Sequence, residues 1–310
     1  MTNEHTNQHT VPKCYLRFFA FGKERNPKVY VYDKIPPKFR IAPIKDICYE
    51  PEIYTVSNLS TEGADMSDDE RKKYYEVEYL KKQVEDSYGP CIKDTVSKLI
   101  QNKALSVKEK VELAHYMAIQ YLRLPVIKPL CTHLQEGVFL NVNRTKEIIE
   151  EFEKNSDPNL RRYYNDDAQA HFKNGYGNEG VINTLTCLFG LSKWEVLNSP
   201  DNIITSDFPI FVVPKLVEVR ARRIFMNKIF EKYVFPISKD YLLTIDINPE
   251  ASFEQNNLCI IKEATKEELL KFNILQCYFC KRYAIKHIPF SDTEIDYINK
   301  IRNSKLVIYD

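Results

Sequence analysis

Strand-forming and helix-forming segments do not alternate along this chain; they come in blocks, and that ordering limits the fold more than any other feature. A short β-branched and aromatic segment, Lys28-Val-Tyr-Val-Tyr-Asp33, stands near the start. A long helical stretch follows, then a run of strand-like segments, then helices again. Segregation of this kind gives an α+β fold, not the regular strand–helix alternation of a parallel α/β sheet. The helical block opens on Ser67-Asp-Asp-Glu70 and again on Ser106-Val-Lys-Glu109, each a hydroxyl followed three residues on by glutamate, the pattern of a capping box. Gly89-Pro90 predicts a break between a helix ending near Ser87 and one from Cys91 to about Asn102. The Ser106 helix carries Leu113, Met117, Gln120 and Leu124 to Pro125; Val181 to Leu197 reads as one more apolar helix.

Beyond Pro200, strands are predicted at 202–207, 210–213, 241–245 and 258–261; a weaker extended piece at 51–55 precedes the helical block. Thr265-Lys-Glu-Glu268 caps a helix running to about Ala284, and 292–302 forms the last helix. Pro36, Pro37 and Pro43 break the segment after the first strand. The expected architecture is a single α+β domain over 9–310: a small mixed sheet packed against a predominantly helical middle, the helical part at about 67–197, with residues 1–8 a disordered tail.

Composition narrows the function. The 310 residues hold 44 Lys plus Arg against 43 Asp plus Glu, so net charge gives no general attraction to nucleic acid or to an anionic membrane; only a local patch can. Glycine occurs 8 times, too few for many backbone-cradled phosphate loops. No apolar run reaches the roughly 18 residues that span a bilayer, and the N-terminus is polar, so the expected setting is the cytoplasm without membrane contact. Scattered cysteines agree with that setting.

Several motifs could carry chemistry. Gly175-Tyr-Gly177-Asn-Glu-Gly180 has dinucleotide-loop spacing, but no strand precedes it, and a loop entering a helix is the simpler reading. Cys277 and Cys280 lie within an apolar helical pattern with no second cysteine pair, which suits buried thiols better than a zinc site. Lys215 to Lys232 carries Arg220, Arg222 and Arg223 with Phe225, Phe230 and Tyr233 between charges; it is a nucleic-acid-binding candidate, or an ordinary solvated surface. His9 stands at the head of a turn before Val-Pro and an apolar run, and Ile204-Thr-Ser-Asp207 ends a strand with hydroxyls and a carboxylate ahead of Pro209. Functional groups favour such places, although Asp207 could equally bond nearby backbone amides.

Those two segments carry a resemblance. His9, Pro12, Tyr15, Leu16 and Arg17, together with Ile204, Thr205, Ser206, Asp207 and Pro209, resemble the opening and later signatures of domain-of-unknown-function family 4238, widespread in bacteria. Glu85 and the Gln120, Arg123, Pro125 set look like the family's intervening helical residues, Phe235-Pro-Ile-Ser resembles a strand of the family, and its late asparagine and arginine fall on Asn273 and Arg282. The resemblance implies the fold and no settled activity. Taken as one site, His9, Glu85 and Asp207 are the catalytic candidates, with His9 and Asp207 able to ligate Mg²⁺ or Mn²⁺. Lys13, Arg17, Gln120, Arg123 and Ser206 are the substrate-binding candidates. The expected activity is metal-dependent hydrolysis of nucleic acid or another phosphodiester. The alternative is a non-catalytic interaction or nucleic-acid-binding module in which Arg123 and Glu85 form a buried ion pair and the remaining residues are structural.

Overall fold

A computed structural model describes residues 7–51, 53–55, 75–124, 181–214, 230–246 and 258–303. The Ser67 capping box, the 175–180 loop, Arg220, Arg222 and Arg223 lie outside them. In chain order the elements are β1 (Asn7–His9), α1 (Lys13–Leu16), β2 (Lys28–Lys34), β3 (Pro37–Pro43), β4 (Tyr49–Pro51), a π-helical segment (Tyr75–Glu85), α2 (Asp86–Ile100), α3 (Val107–Leu122), α4 (Val181–Gly190), β5 (Lys193–Asn198), β6 (Thr205–Ser206), β7 (Phe211–Pro214), β8 (Phe230–Pro236), β9 (Tyr241–Asp246), β10 (Cys259–Glu263), α5 (Lys266–Phe279), β11 (Tyr283–Lys286) and α6 (Asp292–Asn303). The fold is α+β. Where the sequence suggested one domain, the chain divides into two compact units, each assembled from three separated stretches: 1–10, 49–90 and 114–187, and 11–48, 91–113 and 188–310.

In the first unit β1 pairs antiparallel with β4, His9 opposite Tyr49. Residues 7 and 8 are therefore not part of a disordered tail: Gln8 is fully buried, its amide oxygen accepting from Tyr54 N at 2.5 Å and its amide nitrogen donating to Thr55 Oγ1 at 3.0 Å.

The second unit holds two sheets. One is antiparallel with strand order β3-β2-β11-β6; the other is mixed, with order β10-β5-β9-β8-β7, in which β10 and β5 run parallel. Along β9 five consecutive residues are buried, as expected of a central strand covered on both faces. The antiparallel sheet packs on α5 and α6 through Tyr32, Ile204, Cys277, Ala284, Phe290 and Ile298. Both of the expected capping boxes that fall within the described residues form. Ser106 N and Thr265 N donate to Glu109 and Glu268 at 2.9 and 3.1 Å.

Four local expectations are corrected. Helix α2 continues through Pro90, whose missing amide falls one turn after the change from π to α spacing, where the hydrogen-bond ladder is already being re-registered. The apolar run from Val181 is a helix only to Gly190. The Trp194 indole then donates to Phe189 O at 2.7 Å, turning the chain into β5, which finds partners on both edges. The triple-proline segment forms β3, tolerated because it is an edge strand with Pro37 and Pro43 at its ends. Helix α5 stops at Phe279, and Tyr283 and Ala284, expected to be its last residues, open strand β11.

Candidate functional site

Helix α3 brings Gln120 to one face in the first unit, and Arg123 follows one turn on. Their donors reach consecutive carbonyls of the opening motif: Gln120 Nε2 donates to Thr10 O at 3.1 Å, and Arg123 Nη2 donates to His9 O at 2.7 Å. Arg123 Nη1 donates to Glu85 Oε1 at 3.0 Å, and its guanidinium lies 5.7 Å from the Tyr54 ring centre. Tyr116 OH completes the set by donating to Gln120 Oε1 at 3.2 Å. Arg123 is 2% exposed. Burial by itself would depress its pKa, but the Tyr54 hydroxyl and the Glu85 carboxylate outweigh it and hold the guanidinium above its ordinary value. The arginine is thus the buried half of an ion pair and does not open to a cleft as a phosphate clamp would. What His9 contributes to this knot is its backbone carbonyl.

The second signature lies in the second unit. The Tyr15 hydroxyl donates to Pro236 O at 2.7 Å, which uses its single hydrogen, so at the 2.7 Å contact with Thr205 Oγ1 the threonine donates. Ser206 Oγ accepts from Phe208 N at 2.9 Å and from Gln276 Nε2. Asp207 is 9% exposed and accepts three backbone amides: Lys281 at 2.9 Å, Arg282 at 2.7 Å and Tyr283 at 3.1 Å. Burial pushes its carboxyl up to about 6, with the three amides pulling the other way. This is the amide-binding reading of Asp207, and it fixes the turn between α5 and β11. Asn273 acts alongside: its oxygen accepts from Ile204 N at 3.0 Å and its nitrogen donates to Asn202 O at 2.8 Å.

Glu85, Gln120, Arg123 and the His9 carbonyl are therefore assembled in one unit, while Ser206 and Asp207 are assembled with other partners in the second. Among the described residues, no group of three His, Cys, Asp or Glu side chains could hold a metal ion. Lys13 and Arg17 are exposed on and just after α1. Cys277 and Cys280 are buried, and burial pushes the Cys280 thiol up to about 12, the state of a structural rather than a reactive sulfur. No described helix is long and apolar enough to cross a membrane.

The profile of a family described as "Protein of unknown function (DUF4238)" matches residues 7–289. The chain belongs to this family. No curated protein and no solved structure matches it. The DUF4238 match begins at β1 and ends just after β11, so it takes in both polar knots and the turn they stabilise. A site residue that motif reading undervalued is Asp33, which accepts from Arg282 Nε at 3.0 Å and Nη2 at 3.3 Å. A carboxylate directly after the apolar run Val29–Tyr32 was its only signal.

Proposed function

We propose that this DUF4238 protein is a cytoplasmic, non-catalytic binding module for nucleic acid, in which His9, Glu85, Gln120, Arg123, Ser206 and Asp207 hold the fold. The observation that supports this reading is the condition of Arg123 and Asp207. Both are buried, and their polar atoms are engaged by a carboxylate and a carbonyl in one case and by three amides in the other. To bind a diffusing phosphate or a substrate proton, either would have to abandon buried partners, leaving them unsatisfied. Lys13 and Arg17 carry exposed positive charge, and the sequence adds Arg220, Arg222 and Arg223 with aromatic residues interleaved. Such a surface tracks a phosphate backbone and stacks bases with little sequence preference.

The test is fluorescence anisotropy with labelled single-stranded RNA, single-stranded DNA and duplex DNA in EDTA at 50 and 200 mM salt. Salt-sensitive binding, weakened when Arg220, Arg222 and Arg223 are all changed to Gln, is expected. No binding of any strand at the lower salt refutes the reading. One observation favours a second reading, metal-dependent phosphodiester hydrolysis with Mg²⁺ or Mn²⁺: a carboxyl near pKa 6 at Asp207 suits a general base. Cleavage that requires either metal and is lost in Asp207→Asn and in His9→Ala would establish that second reading over the first.

A further inference from the structure

The antiparallel sheet of the second unit carries a charge cluster that the polar knots do not use. Asp33 on β2 is in register with Tyr283 on β11 and with Lys38 on β3, so the three form one row across the sheet. Arg40, two residues beyond Lys38, shares that face. Asp33 is 1% exposed and is the carboxylate of the cluster. It accepts from Ile35 N at 3.0 Å and from Arg282 Nε and Nη2 at 3.0 and 3.3 Å, but from Arg40 Nη2 only at 3.5 Å. Burial tends to raise its pKa, yet the arginines and the Ile35 amide hold it below the ordinary carboxylate value, so it is ionised at neutral pH. Its single charge is committed mainly to Arg282.

Arg40 is consequently a surplus cation. Its Nε is sealed from solvent and has no hydrogen-bond partner among the described residues, while the side chain as a whole keeps 29% of its exposure, so the open part of the guanidinium is what a ligand can meet. Both guanidiniums lie over the ring of Tyr283, Arg282 Cζ at 4.9 Å and Arg40 Cζ at 5.9 Å from its centre. The backbone that presents Arg282 is fixed before any ligand binds. Asp207 takes three of its amides, Lys34 N donates to Arg282 O at 2.8 Å, and Lys34 Nζ donates to Tyr278 O and Cys280 O at 2.8 and 2.6 Å.

We infer that Arg40 and Arg282, braced on Asp33 and Tyr283, form a binding site for a phosphate group. Arg40, its side chain 29% exposed, supplies the less compensated charge, and Arg282, 45% exposed, is the pre-oriented second guanidinium. Two planar forks favour a tetrahedral oxyanion over chloride or a lone carboxylate. The phosphate belongs either to a nucleic-acid backbone, which rests on the function proposed above, or to a free phosphate.

Two titrations separate these sources. In the first, inorganic phosphate is added at constant ionic strength while the arginine Nε–Hε resonances are followed, with chloride as the control. A saturable shift at Arg40 and Arg282 is expected, and in Arg40→Gln the remaining Arg282 resonance should report about tenfold weaker affinity. Absence of the shift, or equal affinity in the variant, overturns the site. In the second, a labelled single strand is titrated into wild type, Arg40→Gln, Arg40→Lys and the exposed control Lys103→Gln. Arg40→Gln should weaken binding about tenfold and reduce the slope of log affinity against log salt by about one, with Arg40→Lys between and Lys103→Gln unchanged. Wild type that takes up phosphate at Arg40 but binds no strand identifies free phosphate as the source and overturns the nucleic-acid reading, while the site stands. A strand bound equally by wild type and Arg40→Gln overturns the site as the strand's contact. Melting curves of Arg40→Gln should overlay the wild type, because Asp33 retains Arg282.

Discussion

Replacing Arg123 by alanine is the most direct probe of the first polar knot. The change removes a donor at 2.7 Å from the His9 carbonyl, a donor at 3.0 Å from Glu85 Oε1, and the guanidinium stacked on Tyr54. A buried acceptor left without its hydrogen bond costs roughly 1–3 kcal/mol. Glu85 retains a quarter of its side-chain exposure, so water recovers part of its solvation, and the charge-pair loss falls toward the low end of the usual range for one broken buried partner. Together these give about 3–5 kcal/mol. Arg123→Lys keeps the charge, but one ammonium does not reproduce the fork that serves both acceptors, so roughly half the loss should persist. The assay is guanidinium denaturation followed by circular dichroism, with Glu85→Ala and the double variant completing a cycle. The double variant should lose less than the sum of the two singles by about 1–3 kcal/mol. An Arg123→Ala protein within about 1 kcal/mol of wild type would refute the claim that this arginine ties the fold, since surface changes commonly fall in that range.

Three further outcomes are expected. The folded-state pKa of Asp207, about 6, lies above its unfolded value of 3.8, so the protonated form stabilises the fold fully below the unfolded value and this contribution fades as pH rises toward 6 and beyond. Asp207→Asn lacks that dependence, and the stability gap between wild type and variant should therefore widen by up to about 3 kcal/mol on going from pH 7 to pH 4, as read by denaturation at each pH. Lys286 Nζ sits 2.8 Å from both oxygens of Glu294, with the lysine side chain 3% exposed; Lys286→Met should cost about 3–5 kcal/mol in the same assay, and Lys286→Met with Glu294→Gln should recover part of it. Burial lowers Lys110 to about 8, its ammonium donating to Ser192 O at 2.7 Å and lying 5.3 Å from the Trp194 ring centre. A lysine whose folded pKa is depressed disfavours the fold at low pH and loses that penalty between 8 and 10.5, so wild type should gain stability relative to Lys110→Met across that window.

What could be read from sequence divides along a physical line. Features fixed by neighbours within a turn or two were legible: the Ser106 and Thr265 capping boxes, the β-branched strand β2, the apolar strand β9, and the three-residue spacing that delivers Gln120 and Arg123 to consecutive carbonyls. Features decided by distant partners were not. Tyr283 and Ala284 continue an apolar helical pattern, and they become strand because β2 and β6 offer edges on both sides while Asp207 captures the amides at the turn. Likewise β3 is disguised by prolines that only an edge strand tolerates. The two motif halves pointed to one site, yet His9 and Tyr15, six residues apart, belong to different units and different hydrogen-bond sets. The Asp33–Arg282 pairing joins residues 249 positions apart, and no local signal connects them.

That separation has a consequence during synthesis. Strand β2 leaves the ribosome well before β11, and its antiparallel neighbour β3 follows at once to cover one edge. The other edge waits for β11, some 250 residues later. At about 5–20 residues per second, that edge stays unpaired for roughly 12–50 s. During this interval the alternating Val29, Val31 and the aromatic Tyr30 and Tyr32 form a sticky template for other nascent chains. The newborn protein should therefore depend on chaperone shielding until β11 appears, and truncations that remove β11 should accumulate as aggregate even when every element before it is intact.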